Sequence, residues 1–213
     1  MGKLQVAILP VTPFQQNCAF VWDVDSKEAL IVDPGGDIPR ILGGVEQLGI
    51  NVVKILLTHG HIDHAGGAAA LRDALAGPPI EGPDERDGFL LEGLAAQAAN
   101  YGFEGVRNVT PDRWLHEGEA IMLGEHRFDI LHCPGHTPGH IVFLDHAAQF
   151  GILGDVLFQG SIGRTDFAYG DHAALIDAIR TKLLPLPDEF GFLCGHGPGS
   201  TIGAERATNP FLR

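Results

Sequence analysis

The segment Thr58-His59-Gly60-His61-Ile62-Asp63-His64 places four potential metal ligands within six residues. Imidazole is the commonest protein ligand for transition metals. On an extended backbone His59 and His61 project to the same side and can share one ion, whereas Asp63 and His64 lie on the turn that opens the following helix and aim elsewhere. Four donors from so short a loop exceed what one tetrahedral ion accepts, so two adjacent ions are expected. Three more candidates each follow a predicted strand: His136 in Cys133-Pro134-Gly135-His136, Asp155 in Leu153-Gly154-Asp155, and His196 in Cys194-Gly195-His196. Ligand sites collect at such carboxyl ends of strands in α/β proteins. A carboxylate such as Asp155 can bridge two ions; an imidazole does so with difficulty. The chain holds 29 Gly, several beside these histidines, where they let the backbone bend tightly around a point.

The elements that must position these residues are legible as apolar runs and turn signals. Leu4–Leu9, Cys18–Val24 and Ala29–Val32 read as strands separated by Pro13, Asp25-Ser26-Lys27 and Asp33-Pro34-Gly35-Gly36. Asp37 is placed to cap a helix through Leu48, with Ile41, Leu42, Val45 and Leu48 on one face and Gly49 ending it. Val52–Leu57 reads as a strand covered on both faces and delivers the chain into His59. Ala65–Ala76 is helix-prone, and Asp87–Tyr101 spaces Leu90, Leu91, Leu94, Ala95 and Ala98 at helical intervals. Ala120–Leu123, His126–Leu131, His140–Leu144 and Phe150–Leu153 read as strands, Ala173–Leu183 as a helix and Phe190–Leu193 as a short strand. That many strands alternating with a few helices indicate α/β layers built on two sheets. With no repeat, linker or low-complexity segment, residues 1–213 are expected to form one domain.

Composition excludes several classes of function. A net charge of −13, from 14 Lys+Arg against 27 Asp+Glu, leaves no basic stripe with which to hold a nucleic-acid backbone. It does not bar an anionic small substrate, because a metal can reverse the local sign. Cys18, Cys133 and Cys194 cannot all pair, which suits a reducing compartment. There is neither a signal-like N-terminus nor an apolar run of about 18 residues. A soluble cytoplasmic protein, monomer or homodimer, is therefore expected, with no nucleic acid and no membrane among its partners.

The pattern His59-x-His61-x-Asp63-His64 followed by His136, Asp155 and His196 resembles the metallo-β-lactamase superfamily. Asp33-Pro34-Gly35-Gly36, Cys133-Pro134-Gly135-His136-Thr137-Pro138-Gly139-His140 and Gly154-Asp155-Val156-Leu157-Phe158 resemble its glyoxalase II (hydroxyacylglutathione hydrolase) group. Ser161-Ile162-Gly163-Arg164-Thr165-Asp166-Phe167 and the ending Asn209-Pro210-Phe211-Leu212 are most similar to the short bacterial branch of that group. The resemblance implies an α/β fold, a four-layer αβ/βα sandwich with its site at one edge of the two sheets. It further implies His59, His61 and His136 on one metal, Asp63, His64 and His196 on a second, and Asp155 between them. Such a nitrogen and oxygen set, free of thiolate, suits two divalent ions of Zn, Fe or Mn, with zinc the first choice.

The activity so implied is hydrolysis of a glutathione thioester such as S-lactoylglutathione. Asp155 and Asp63 would act through a hydroxide held between the ions, with no side-chain nucleophile. Two close ions lower the pKa of a shared water toward neutrality, and one can stabilise the oxyanion. A thiolate from a thiol of pKa about 8.5 leaves without a strong acid. Arg164 stands where the family holds a glutathione carboxylate with a basic residue, a task that suits its bidentate fork. Larger members of the group have an aromatic residue after the last ligand, where this chain reads Gly197-Pro198, and carry a C-terminal helical domain that this chain ends too early to form. Both differences bear on the thiol and leave the hydrolytic set intact.

Two readings of other classes compete. An iron-dependent glutathione persulfide dioxygenase has a segment similar to Gly163–Phe167 and uses a single iron on part of the same set. A non-catalytic metal- or thiol-binding module would be marked by a lost ligand, and none is missing. His132 and His140 read as neighbours of a ligand or as core, Cys133 and Cys194 as small buried residues, and His116, His126, His146 and His172 as surface. Asp33 is equally a turn residue or the partner of a ligand imidazole. The Leu90–Tyr101 stripe is core packing that could also wall a substrate pocket.

Overall fold

The computed structural model describes residues 2–213. Strands β1 (Leu4–Val11), β2 (Gln16–Asp23), β3 (Glu28–Val32), β4 (Asn51–Leu56) and β5 (Ile80–Glu81) form one sheet in that order. The first three pair antiparallel, and β3, β4 and β5 pair parallel. The second sheet runs, edge to edge, β6 (Ala120–Leu123), β7 (His126–His132), β8 (Ile141–Asp145), β9 (Phe150–Ile152), β12 (Gly191–Leu193) and β13 (Ser200–Thr201). A separate hairpin joins β10 (Leu157–Phe158) to β11 (Ser161–Ile162). Helices α1 (Ile38–Leu48), α2 (Ile62–Ala65), α3 (Ala68–Ala74), α4 (Gly88–Glu92) and α5 (Leu94–Tyr101) belong with the first sheet. Helix α6 (His172–Ala178), its π-helical continuation Ile179–Leu183 and α7 (Ile202–Thr208) belong with the second.

Side-chain alternation along the strands builds the layers. In β2, Cys18, Phe20 and Trp22 pack with Ile41, Leu71, Leu91 and Leu94 beneath the helices, while Ala19 and Val21 pack with Phe128, Ile130, Phe143 and Ile152 between the sheets. Strand β8 divides in the same way: Ile141 and Phe143 lie between the sheets, Val142 and Leu144 against Leu175, Ile179 and Ile202. Three apolar clusters therefore separate four layers, the αβ/βα sandwich expected. Strands covered on both faces carry apolar residues at every position, which is why these runs were readable.

Several local expectations are corrected. Helix α2 starts at Ile62, three residues early, and Gly66-Gly67 divides it from α3 where the chain passes against the Pro34 carbonyl, 2.9 Å from Gly67 N. Gly93 likewise splits the Asp87–Tyr101 helix into α4 and α5. Asp37 occupies the cap position of α1, but its carboxylate accepts from Thr12 N (2.9 Å) and pairs with Arg40 rather than capping the helix. His126, expected at the surface, is buried: it shares the inward face of β7 with Phe128 and Ile130. Its Nδ1 lies 3.0 Å from Asp145 and its Nε2 3.8 Å from Asp23, joining the two sheets at the end away from the histidine loops. Among the described residues no helix is long and apolar enough to cross a membrane.

Candidate metal centre

Strand ends from both sheets meet at one rim. Strand β3 runs into Asp33, β4 into Thr58–His61, β7 into Cys133–His140, β9 into Asp155 and β12 into Cys194–His196. Asn17 stitches the rim together, its N–H donating to Gly195 O (2.8 Å) and its Nδ2 to the carbonyls of Cys194 (3.0 Å) and Gly197 (2.8 Å).

Three imidazoles converge first. His61 Nδ1 lies 3.1 Å from His59 Nε2 and 2.9 Å from His136 Nε2. Their outer nitrogens are held by Thr58 Oγ1 on His59 (3.0 Å), Tyr169 Oη on His61 (2.8 Å) and the Arg164 carbonyl on His136 (2.8 Å). A carbonyl only accepts, so His136 Nδ1 carries the proton and Nε2 turns a lone pair inward. Burial holds all three rings below the ordinary imidazole range, His61 at about 3. Neutral rings with facing lone pairs repel unless a cation lies between them. Tetrahedral zinc with Zn–N near 2.0–2.1 Å needs donors roughly 3.3 Å apart, close to the spacing seen.

A second group adjoins the first. His196 Nε2 lies 3.3 Å and His64 Nε2 3.8 Å from Asp63 Oδ2. His64 Nδ1 donates to Asp33 Oδ2 (2.9 Å), which turns Nε2 inward, where it is buried without a hydrogen-bond partner. Asp155 stands between the groups: Oδ1 is 3.4 Å from His64 Nε2, and Oδ2 is 3.5 Å from His136 Nε2 and 3.6 Å from His196 Nε2. Burial would raise the Asp155 carboxyl, but His64, His136 and His196 outweigh it and hold it well below the usual range. Burial would lower His64, but Asp155 and Asp63 outweigh it and raise the ring well above an ordinary imidazole. Gly195 is required here, since a Cβ on it would lie 2.0 Å from Asp155 Oδ1 and 2.6 Å from His64 Cε1. Unpartnered inward atoms on His64 and Asp155, in a set of nitrogen and oxygen donors, fit divalent cations.

The sequence profile of the metallo-beta-lactamase superfamily matches residues 11–196. The chain belongs to this superfamily. Hydroxyacylglutathione hydrolase GloC of Haemophilus influenzae is 50% identical over 210 residues, 98% of each chain. The crystal structure of BLEG-1 B3 metallo-beta-lactamase superposes with a TM-score of 0.89 at 36% identity, over 98% of this chain and 99% of that one. TTHA1623, solved in a di-iron-bound form, superposes with a TM-score of 0.86 at 37% identity, over 97% of this chain and 100% of that one.

In this metallo-beta-lactamase fold all seven candidate ligands come together. His61, Asp63, His136, Asp155 and His196 floor a cleft of about 580 Å³ walled by Phe14, Tyr101, Phe158, Phe167 and Tyr169, with His59 and His64 fully buried beneath it. The Leu90–Tyr101 stripe thus serves twice, burying Leu90, Leu91, Leu94 and Ala98 and offering Gln97 and Tyr101 to the cleft. Arg164 reaches the cleft, but its Nε and Nη2 are held by Asp166 (2.7 and 2.9 Å) and its guanidinium lies 4.5 Å over the Phe167 ring. Asp33 is the partner of the His64 ring and of Thr58. His140 accepts from Asp155 N (3.0 Å) and stacks on His59, whereas His132 turns to Arg86 and the Pro138 carbonyl. Cys133 and Cys194 are buried, their thiols pushed up to about 12 and about 11 by that burial. His116, His146 and His172 are exposed. Sequence reading missed two residues that touch this machinery, Tyr169 and Asp87. Tyr169 left a faint cue, an aromatic two residues past Phe167; Asp87 sits in Asp84-Glu85-Arg86-Asp87, which looks like an ordinary solvated helix start.

Proposed function

We propose that the chain is a two-metal thioester hydrolase of the glyoxalase II type, acting on S-(2-hydroxyacyl)glutathiones such as S-lactoylglutathione. The observation that carries this reading is the placement of Asp155 between two complete ligand groups. Half identity to GloC across nearly the whole of both chains supports the substrate. His59, His61 and His136 would hold one ion, Asp63, His64 and His196 the other, and Asp155 both. Zinc suits this set, and the di-iron form of TTHA1623 supports iron as the alternative. When bound, the pair supplies a hydroxide at neutral pH and polarises the acyl carbonyl.

The protein's own residues do the rest. Asp33 and the Arg164 carbonyl fix the tautomers of His64 and His136. The aromatic walls exclude water from the reacting carbonyl and hold the arms of the thioester. Arg164, among the described residues the one Lys or Arg lining the cleft, meets a carboxylate of the thiol, with Asp166 as its competitor. No acid is needed for a thiolate, and burial pushes the Tyr169 hydroxyl up to about 12, so it stays protonated and holds the His61 ring by a hydrogen bond. Convergence of Asp63, His64 and His196 on a second group favours this reading over oxygenation of a persulfide at one iron. The test is steady-state hydrolysis of S-D-lactoylglutathione by metal-replete protein. Saturable turnover of ordinary enzymatic size, roughly 1–10³ per second, is expected. Negligible turnover by a protein that retains metal would remove the substrate.

A further inference from the structure

Asp87 lies where a three-residue 3₁₀ turn, Glu85–Asp87, meets α4, and it is fully buried. Among the described residues no cation pairs with it, and burial pushes its carboxyl up to about 6. A buried carboxylate so placed is costly unless donors replace its water. Three do. Oδ2 accepts from Gly60 N (2.9 Å) and from Thr137 Oγ1 (2.7 Å), and Oδ1 accepts from Gly139 N (2.5 Å).

The positions of those donors are the point. Gly60 stands between His59 and His61, on the loop leaving β4 of the first sheet. Thr137 follows His136, on the loop leaving β7 of the second. One carboxylate thus spans the two loops that bring the three imidazoles together. The approach is close on both sides: a Cβ on Gly60 would lie 2.7 Å from Leu90 Cβ and 3.1 Å from Asp87 O, and one on Gly139 would lie 2.6 Å from Asp84 O and 2.8 Å from Asp87 Oδ1. Asp84 N donates to Gly139 O (3.1 Å) along the same seam. Each carboxylate oxygen faces a backbone N–H, which can only donate, so the position demands a side chain that accepts at both ends. An asparagine would turn its NH₂ against the N–H of Gly139 or of Gly60.

We infer that Asp87 is a positioning residue that sets the separation of the His59–His61 and His136 loops, and that the cation affinity of this imidazole group depends on its carboxylate. The inference rests on the metal-binding reading above. The test is Co²⁺ titration of the metal-stripped full chain, read from the visible d–d bands, with circular dichroism and thermal unfolding measured on the same samples. Asp87→Asn is expected to weaken binding of the first ion about 10–100-fold and to alter the d–d spectrum, in the range usual for residues that orient ligands. Thr137→Val, which removes one donor and leaves the carboxylate in place, is expected to weaken it by a smaller factor of about 3–10-fold. Asp145→Asn serves as control: that buried carboxylate holds His126 and two backbone N–H groups at the other end of β8. It is expected to lower the unfolding temperature and bind Co²⁺ as wild type. Wild-type affinity and spectrum in both Asp87→Asn and Thr137→Val would overturn the inference, as would an equal loss in Asp145→Asn. If Asp87→Asn does not fold, Thr137→Val decides alone. A wild-type chain that binds no Co²⁺ defeats the metallohydrolase reading itself.

Discussion

Asp155 has no hydrogen-bond partner for Oδ1 and three imidazoles within 3.6 Å of its carboxylate, so its worth lies in charge shared between the two groups. Replacing it with Ala is expected to lower kcat about 10³-fold, equivalent to about 4 kcal/mol, and to lower bound metal per chain as measured by elemental analysis. Unchanged metal content and turnover would contradict its place between the groups. Arg164, in the proposed reaction, would act elsewhere, on the thiol. Arg164→Ala is expected to raise KM for glutathione thioesters about 10-fold with kcat nearly constant, the signature of binding lost equally in ground and transition states. Because Asp166 occupies two nitrogens of that fork, Asp166→Asn should lower KM for the same substrates; a raised KM would mean that Asp166 holds Arg164 in its working pose.

At the scale of elements, the β10–β11 hairpin brings Phe158, Ser161 and Ile162 to the cleft and leads into Arg164. It is short, two residues a strand, and owes its place to α7. Glu205, buried, accepts from Gly160 N (2.8 Å) and from Asn209 Nδ2 (2.9 Å), and Asn209 Nδ2 donates to Ser161 O (3.0 Å). Asn209→Ala leaves the Ser161 carbonyl and the Glu205 carboxylate short of a donor. Urea denaturation should show a loss of about 1–3 kcal/mol, and KM should rise as the hairpin loosens. A destabilised protein with unchanged KM would show that the hairpin holds its place without α7.

Across the whole molecule, folding and metal binding are linked. With its pKa raised above 6.5 in the folded chain, protonated His64 contributes stability that is fully present below about pH 6.5 and is lost as pH rises through the folded value. Asp155, depressed below 3.8, contributes stability present above that value and lost as pH falls through its folded one. Metal-stripped protein should therefore unfold at progressively lower temperature from pH 6.5 to pH 9. Metal-loaded protein should not, because cations take the place of the His64 proton. At 1,000 times the dissociation constant the bound ion adds about 4 kcal/mol. Parallel pH profiles of Tm with and without EDTA would contradict this linkage.

The candidate ligands were readable from sequence because their spacing is local: His59, His61, Asp63 and His64 follow one another on the loop after β4 and the start of α2, and His136, Asp155 and His196 each follow a strand whose apolar run is plain. The two sheets followed from the same runs, since a strand buried on both faces has no polar positions to hide it. Helix continuity did not follow. At Gly66-Gly67 and Gly93 the deciding contact is with chain far away, or with the sharp start of a new helix, and propensity carries no trace of it. His126 in the inter-sheet layer and Asp87 across the two histidine loops were equally hidden, for their partners lie 19 and 27 to 52 residues away. Sequence determined which atoms could hold the metals; only the tertiary structure decided which carboxylate keeps their loops at the right distance, because that distance is set between two sheets rather than along one strand.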